Sequence, residues 1–246
     1  MSLVEEIRSS WLILLFGCIL YTGGMCVLFW NEGRAVHITL SLGEALEDTV
    51  TIDPYAEPEE NAIYDNRIVH FTGPLLIGEP LTEPDYNIHI MAVKLKRRVQ
   101  MFQWVEESVE SNFGGSVSSE DNNERNYYYY QDWRDKLIDH RRFYIQTGHH
   151  NPDKFPVESQ TQIADLVKIG QFEIGLESKK KIEEYTEFTS DTRPEEPEIK
   201  LHMGFYYHTN DVFNPEIGDL RILFSFAGME GEVYTVVGKL HQNRLV

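Results

Sequence analysis

Nucleophilic catalysis needs a serine or cysteine held beside a base, and the only two cysteines of this chain, Cys18 and Cys26, both lie inside an uncharged apolar stretch. No G-x-S-x-G, H-E-x-x-H, paired C-x-x-C, Walker loop or dinucleotide-binding glycine fingerprint occurs. The nine histidines are the remaining metal candidates, with His149 and His150 adjacent and His140 upstream. Adjacent side chains on a turn point apart, and no single element supplies three ligands, so a site would need convergence in space. Glu106-Glu107 is one acidic pair among 40 carboxylates, too ordinary to nominate a general acid and base. The basic cluster Lys94, Lys96, Arg97 and Arg98 suggests a phosphate or lipid-headgroup site, but its alternation makes most of it the solvated side of a strand. Tyr127 to Tyr130 have the look of a stacking platform for bases or sugars; acidic surroundings favour core and edge packing instead. No catalytic residue, cofactor or metal ligand is expected.

The element that must hold everything else is the stretch Trp11 to Trp30, twenty residues without a charged side chain. As an α-helix it covers about 30 Å, the thickness of a hydrocarbon core, with a Trp at each end where amphipathic rings favour the membrane interface. Its length, its flanks and the missing A-x-A site argue for an anchor over a cleaved signal peptide. Cys18, Thr22 and Cys26 recur every four residues on one face, and small residues at that spacing form a candidate seam for another helix; chance placement explains them equally well. With both cysteines in the span, no disulfide can staple the remainder.

Beyond Asn31 about 215 residues remain, enough for one substantial core and a small second lobe. The formal net charge is −18, almost all of it past the apolar stretch. Such a surface repels phosphate and argues against a nucleic-acid binder and against a polybasic hold on anionic lipid. Charge leaves the topology open, since Arg8 and the amino terminus face Arg34 across the span.

Along the chain, NEGRAV at 31–36 suits a turn at the bilayer surface, and Ser41 and Glu44 have capping-box spacing for a short helix over Leu42 to Asp48. The Pro-bearing acidic run Asp53 to Asn61 breaks it. Arg67 to Leu76 reads as a strand stopped by Gly73-Pro74. Ile88 to Trp104 is the clearest strand pattern, with Val93, Leu95, Val99 and Met101 on one face, interrupted by Arg97, and Lys94, Lys96, Arg98 and Gln100 on the other. Ser108 to Asn126 reads as a mobile loop or long hairpin tip. Tyr127 to Tyr130 resumes as a strand or a strand-to-helix lead-in, and Asp132 is placed to cap a helix with Trp133, Leu137, His140 and Tyr144 on one side. Gly148 to Pro152 is a turn, one or two strands fall around Ile163 to Ile174, Lys179 to Lys181 is a solvated charged run, and Thr189 to Glu198 is an acidic loop. The last elements are strands at Lys200 to His208, Leu220 to Phe226 and Tyr234 to Leu240, the last two joined through AGMEGEV as a hairpin. The expected fold class is α+β and β-rich: a short tail over residues 1–10, one N-terminal transmembrane helix over 11–30, and over 31–246 a mostly antiparallel β domain with a few short helices and flexible loops near 108–126 and 189–198.

The blocks WNEGRAV, NRIVHFTGPL, DYNIHIMAVKLKRRVQMFQWVEE, GHHNP and GDLRILFSFAG, in that order, resemble the LUMA family of nuclear-envelope transmembrane proteins. The resemblance implies a non-enzymatic membrane scaffold of the inner nuclear membrane and endoplasmic reticulum. It implies a large domain facing the lumen or perinuclear space, emerin-like and lamina-associated partners, self-association, and further spans near the carboxyl terminus. This chain stops at Val246, ahead of those spans, as a short isoform, an incomplete gene model or a trimmed chain would. The family motifs look structural, with Asn31, Gly33, Gly148 and Pro152 in turns and Trp104 and Phe226 in the core. The competing expectation is a lumenal ligand- or metal-binding, possibly hydrolytic, membrane-anchored domain.

Overall fold

A computed structural model describes residues 11–57, 63–110, 125–189 and 199–246 of the chain. The tail 1–10, the end of the acidic run from residue 58, the middle of the expected 108–126 loop and nearly all of the 189–198 loop therefore lie outside the described residues. The first element, α1, is one helix of 38 residues, Trp11–Asp48. It corrects two expectations. NEGRAV is helical and forms no turn, because Asn31 and Gly33 stand singly among good helix formers and no proline interrupts them. Ser41 is therefore a helix-interior residue whose hydroxyl meets His37 Nδ1 at 3.2 Å and caps nothing. The end at Asp48 is where it is expected. Every described residue from Trp11 to Glu44 is exposed. Among the described residues no helix is long and apolar enough to cross a membrane; the side chains of Leu12 and Leu14 are not among them, and beyond Trp30 the helix carries Glu32, Arg34, Glu44, Glu47 and Asp48.

Two sheets follow. The first holds β1 (Val50–Thr51), β2 (Ile68–Ile77), β14 (Val233–His241), β15 (Arg244–Leu245), β9 (Phe172–Ile174) and β8 (Val167–Ile169), in that order, and β8 returns to β2 so that five of the strands close on themselves. Val69, Phe71, Leu75, Ile169, Phe172, Leu240 and Leu245 fill the interior. The loop after α1 is seated here: Gln171 donates to the Pro54 carbonyl at 3.2 Å, and a Cβ on Gly170, where φ is +56, would lie 2.2 Å from that oxygen. Strand β2 runs through Gly73-Pro74 and does not stop there. Leu75 N points to β14, so the nitrogen of Pro74 faces the opposite edge, in the gap between the pairings to β1 at Val69–His70 and to β8 from Leu75 onward.

The second sheet runs β11 (Lys200–His202), β12 (Phe205–His208), β13 (Leu220–Met229), β5 (Ala92–Glu110) and β6 (Arg125–Arg134), with β10 (Thr186–Phe188) on β13 and β7 (Gln160–Ile163) on β5. Its inner face presents Leu95, Val99, Met101, Ile222 and Phe224 to Tyr86, Ile88 and Ile90, brought over it by the hairpin of β3 (Leu81–Glu83) and β4 (Ile88–Ile90). All pairings are antiparallel except β1 with β2 and β15 with β9, in keeping with the mostly antiparallel β domain read from the sequence.

Three further expectations are corrected. The AGMEGEV segment does not close a hairpin: β13 and β14 belong to different sheets, and the turn hands the chain across, with Glu230 N on Met91 O and Gly231 N on Leu75 O. No helix follows Asp132; β6 continues to Arg134 because Trp133 pairs across with Phe102, ring centroids 5.2 Å apart, and only a 3-10 turn forms at His140–Arg142. Lys179 is not solvated. It lies in the short helix α2 (Leu176–Lys180), nearly fully buried, with Nζ donating to the carbonyls of Ala164 and Asp165. Burial lowers its pKa.

Candidate interaction surface

Strand β5 is long because period two persists over its whole length, and its far half pairs only with β6. Residues 101–110 of β5 and 125–134 of β6 form a ribbon that passes the end of β13, whose pairing stops at Met101. A strand edge left there would expose unpaired backbone. The Asn151 side chain takes the place of a neighbouring strand: its Oδ1 accepts from Trp104 N at 2.7 Å, and its Nδ2 donates to Trp104 O at 3.0 Å and to Ile138 O at 3.2 Å. Gln103 does the same for the incoming loop, donating to Lys136 O and accepting from Ile138 N. Both amides are buried. They fasten residues 136–151 around the ribbon, and sequence reading, which placed the GHHNP block only as a turn, missed both.

The tyrosine run divides by strand parity. Tyr127 and Tyr129 share a face with Trp104 and Glu106. There Tyr127 stacks on Tyr144 with centroids 4.5 Å apart and planes 3° apart, and Tyr129 stacks on His149 at 4.0 Å, itself edge-on to Trp104. The Glu106 carboxylate accepts from Tyr129 OH at 2.5 Å and from Tyr144 N at 2.6 Å. Burial first, then that carboxylate, raises the Tyr129 phenol above its ordinary pKa. Tyr128 and Tyr130 lie on the opposite face, 56% and 38% exposed, beside exposed Val109. Half of the run is thus packed and half is open surface.

The basic cluster also separates. Arg97, on the apolar face, is paired with buried Glu83 at 2.7 Å. Lys94 is buried, a correction to its solvated placement, because its Nζ reaches Lys180 O at 2.6 Å. Lys96 and Arg98 remain exposed, and Arg98 holds Asp135 through two contacts at 2.7 and 3.1 Å. That hydrogen bond lowers the Asp135 pKa. A lowered carboxylate pKa means stability present above the ordinary value and lost as pH falls through the folded-state value. Asp135→Asn is therefore expected to lower stability slightly at pH 7, the pair being half exposed, and to converge with the parent below about pH 4, which flattens the acid limb of the pH–stability curve; an unchanged acid limb would refute the contribution of the pair.

His140, His149 and His150 do not converge. His149 faces Tyr129 and Trp104, while His150 meets His140 edge-on at 5.1 Å. Among the described residues no group of three or more His, Cys, Asp or Glu side chains is placed to hold a metal ion. A half-open cleft of about 230 Å³ between Leu75, Ile182 and Tyr234 is rimmed by Lys181, Glu183 and Glu184, with Ser178 and Thr235 also in its lining. Among the described residues Ser178 has no histidine beside it in that lining. On α1, Thr22 Oγ1 is turned back onto the carbonyls of Cys18 and Ile19 at 2.9 and 3.1 Å, which satisfies its hydroxyl within the helix and leaves the Cys18, Thr22, Cys26 face small and exposed. Trp11 and Trp30 are likewise exposed.

A family model described as Transmembrane protein 43 matches residues 101–246, the part of the chain that holds the ribbon and its loop. Over 245 residues the chain is 58% identical to the Transmembrane protein 43 homolog of Drosophila melanogaster, covering 100% of this chain and 65% of that protein. It is 32% identical over 254 residues to Transmembrane protein 43 of Pongo abelii, covering 99% of this chain and 62% of that protein. The protein of that name from Homo sapiens is 34% identical over 233 residues, with 89% and 56% covered. The chain thus spans less than two thirds of the length of these curated relatives. No solved structure matches. The family match over more than half the chain, together with the ordered motif blocks, establishes that this chain belongs to the Transmembrane protein 43 family, the LUMA family its motifs resemble.

Proposed function

We propose that this chain is a membrane-anchored, non-enzymatic scaffold of the endoplasmic reticulum and inner nuclear membrane, its β domain on the lumenal or perinuclear side. The observation that carries the reading is an N-terminal helix whose uncharged half, Trp11 to Trp30, has its described apolar side chains exposed: Phe29 at 72%, Leu20 at 61%, Ile13 at 75%. A run of that kind needs an apolar environment that the rest of the chain does not supply, and a bilayer supplies it. The names of the relatives support the same setting, and emerin-like and lamina-associated proteins are the partners that the family likeness suggests. The domain offers surfaces for recognition and, among the described residues, no group of three or more side chains placed to hold a metal ion.

Protease protection of the full chain in sealed microsomes tests the side of the membrane: the β domain is expected to survive until detergent is added, and digestion of intact vesicles would reverse the topology. Leu20→Arg, at the centre of the run, is expected to cost about 3 kcal/mol of insertion, a shift of roughly a hundredfold in the membrane-bound fraction after alkaline extraction. Unchanged retention would remove Trp11–Trp30 as the anchor. Crosslinking in native membranes is expected to recover nuclear-envelope proteins, and Leu at Cys18, Thr22 and Cys26 to weaken assembly if that face is a helix-packing seam.

A further inference from the structure

Strand β6 ends the second sheet, and its outer edge has no backbone partner among the described residues. Which groups point outward follows from β5. Trp104 turns its N–H and C=O to Asn151, so its cross-strand partner Gln131 turns its own away from β5, and by alternation so do Tyr129 and Tyr127. Trp133 belongs to the same outward set, but its N–H is taken by the Asp132 carboxylate at 2.7 Å. Arg125, the first residue of the strand, falls in the same alternation, and the open stretch between it and Trp133 is Tyr127, Tyr129 and Gln131, three residues symmetric about Tyr129. Exposed edges in folded domains are ordinarily blunted by lysine, proline or a bulge. Strand β6 is ten residues long, contains neither lysine nor proline, and from Tyr127 to Gln131 carries no charge in a chain of net charge −18.

We propose that this edge pairs antiparallel with the same edge of a second copy of the chain, in a two-fold ladder centred on Tyr129. That register is the one in which the three pair only among themselves: Tyr127 faces Gln131 of the other copy, Tyr129 faces Tyr129, and Gln131 faces Tyr127, giving six backbone hydrogen bonds. A shift that centres the ladder on Gln131 would call on Trp133 N–H, which is already occupied. On the open face the centred register sets exposed Tyr128 against Tyr130 of the other copy, and on the packed face it sets Arg125 against Trp133. It brings no two like charges directly opposite each other between Arg125 and Trp133. Isologous pairing closes after two copies, so the edge is consumed rather than propagated. The inference rests on the scaffold reading for its setting and names one of that scaffold's contacts.

The test uses the full chain in lipid nanodiscs, with Cys18→Ala and Cys26→Ala as background. Tyr128 and Tyr130 form a non-hydrogen-bonded pair across the ladder, with Cα atoms about 4.5 Å apart, within the range a disulfide bridges. Tyr128→Cys with Tyr130→Cys is expected to give a disulfide-linked dimer on mild oxidation, and either substitution alone far less. Adding Gln131→Pro removes an outward N–H without touching the ladder to β5, and so two of the six bonds per dimer; the linked fraction is expected to fall about tenfold while the thermal melt stays close to that of the parent. Should the proline variant fail to fold, Tyr128→Asp with Tyr130→Asp, at two exposed positions, places like charges opposite each other and is expected to convert dimer to monomer by mass photometry. No linked dimer, a linked dimer insensitive to Gln131→Pro, or a disulfide adduct to a different protein would each overturn the pairing. A dimer lost only on Leu substitution at Cys18, Thr22 and Cys26 would overturn it while leaving the scaffold standing. Release of the chain from membranes would fell the scaffold reading itself.

Discussion

Asn151→Ala is expected to lower the melting temperature of the β domain by about 10 °C, equivalent to roughly 3–4 kcal/mol. The side chain is 6% exposed and makes three hydrogen bonds, two of them to the N–H and C=O of Trp104 on an edge of β5 that no strand covers. Alanine leaves those backbone groups buried and unpaired, and each costs about 1–3 kcal/mol. Asn151→Asp separates this account from mere loss of volume. The introduced carboxylate accepts from Trp104 N but cannot donate to Trp104 O or Ile138 O, and it sets a negative charge against two carbonyl oxygens. Its folded-state pKa would therefore be raised, so the stability it leaves is fullest at low pH and is lost as pH rises through that value. Melting the aspartate variant at pH 4 and pH 7 reads this directly. Partial recovery at the lower pH is expected, and equal melting temperatures at both would show that Asn151 acts by shape alone. Because residues 136–151 are fastened by the same side chain, both variants are also expected to loosen the Tyr127–Tyr144 and Tyr129–His149 stacks, visible as earlier proteolysis in that loop.

That bridge was not legible in the sequence. Asn151 lies in GHHNP, where asparagine between histidine and proline has an ordinary turn reading, and its partner Trp104 is 47 positions away. The same limit hid Lys94 and Lys179, whose ammonium groups are buried on carbonyls 86 and 15 residues distant. Local periodicity assigns a lysine to a face, but whether that face is wet depends on what the chain later lays over it. What local pattern does carry came through: β5 was read from alternation, β13 as a strand over Leu220 to Phe226, and the boundary at Asp48 from the Pro-bearing acidic run that follows it. Length was harder. Helix α1 continues for eighteen residues past Trp30 because nothing in NEGRAVHITLSLGEALED forbids a helix, and a single Asn or Gly costs only about 0.5–1 kcal/mol.

The two remaining topological differences have one cause, the competition between local and cross-strand partners. Trp133, Leu137, His140 and Tyr144 have helical spacing, yet Trp133 finds Phe102 across the ribbon and Tyr207 beyond it, and that burial exceeds what one isolated helical turn could offer. The AGMEGEV turn looks like a hairpin because strands flank it on both sides. Its residues instead bond to Met91 and Leu75, one in each half of the fold, so the turn joins two sheets and closes none. Half of the candidate surface was legible for the same reason. Four tyrosines in a row announced a two-faced aromatic strand, but which face stays open was set by the loop that Asn151 and Gln103 hold in place.

Glu83→Leu is expected to cost about 3–5 kcal/mol, more than the removal of both partners together. Glu83 sits at the end of β3 over the inner face of the second sheet, where it accepts from Arg97 Nη1 and from Gln162 Nε2, both at 2.7 Å. Arg97 interrupts the apolar face of β5 and also donates to Glu158 O and Gln160 Oε1, so the pair ties β3, β5 and β7 together. Its side chain is 17% exposed and that of Glu83 only 7%. Guanidinium cannot shed its proton, so removing the carboxylate strands a charge in a nearly dry site. Arg97→Met leaves the carboxylate with Gln162 Nε2 as a remaining donor, and that variant should lose less stability. Replacing both, Glu83→Leu with Arg97→Met, removes the desolvation of two ions along with their attraction and is expected to fall within about 1 kcal/mol of the parent. Urea unfolding of the three variants closes the cycle. Strict additivity, with the double variant as unstable as the sum of the singles, would show that the two side chains act independently and that the inner face is held by the apolar contacts of Tyr86, Ile88 and Ile90 alone.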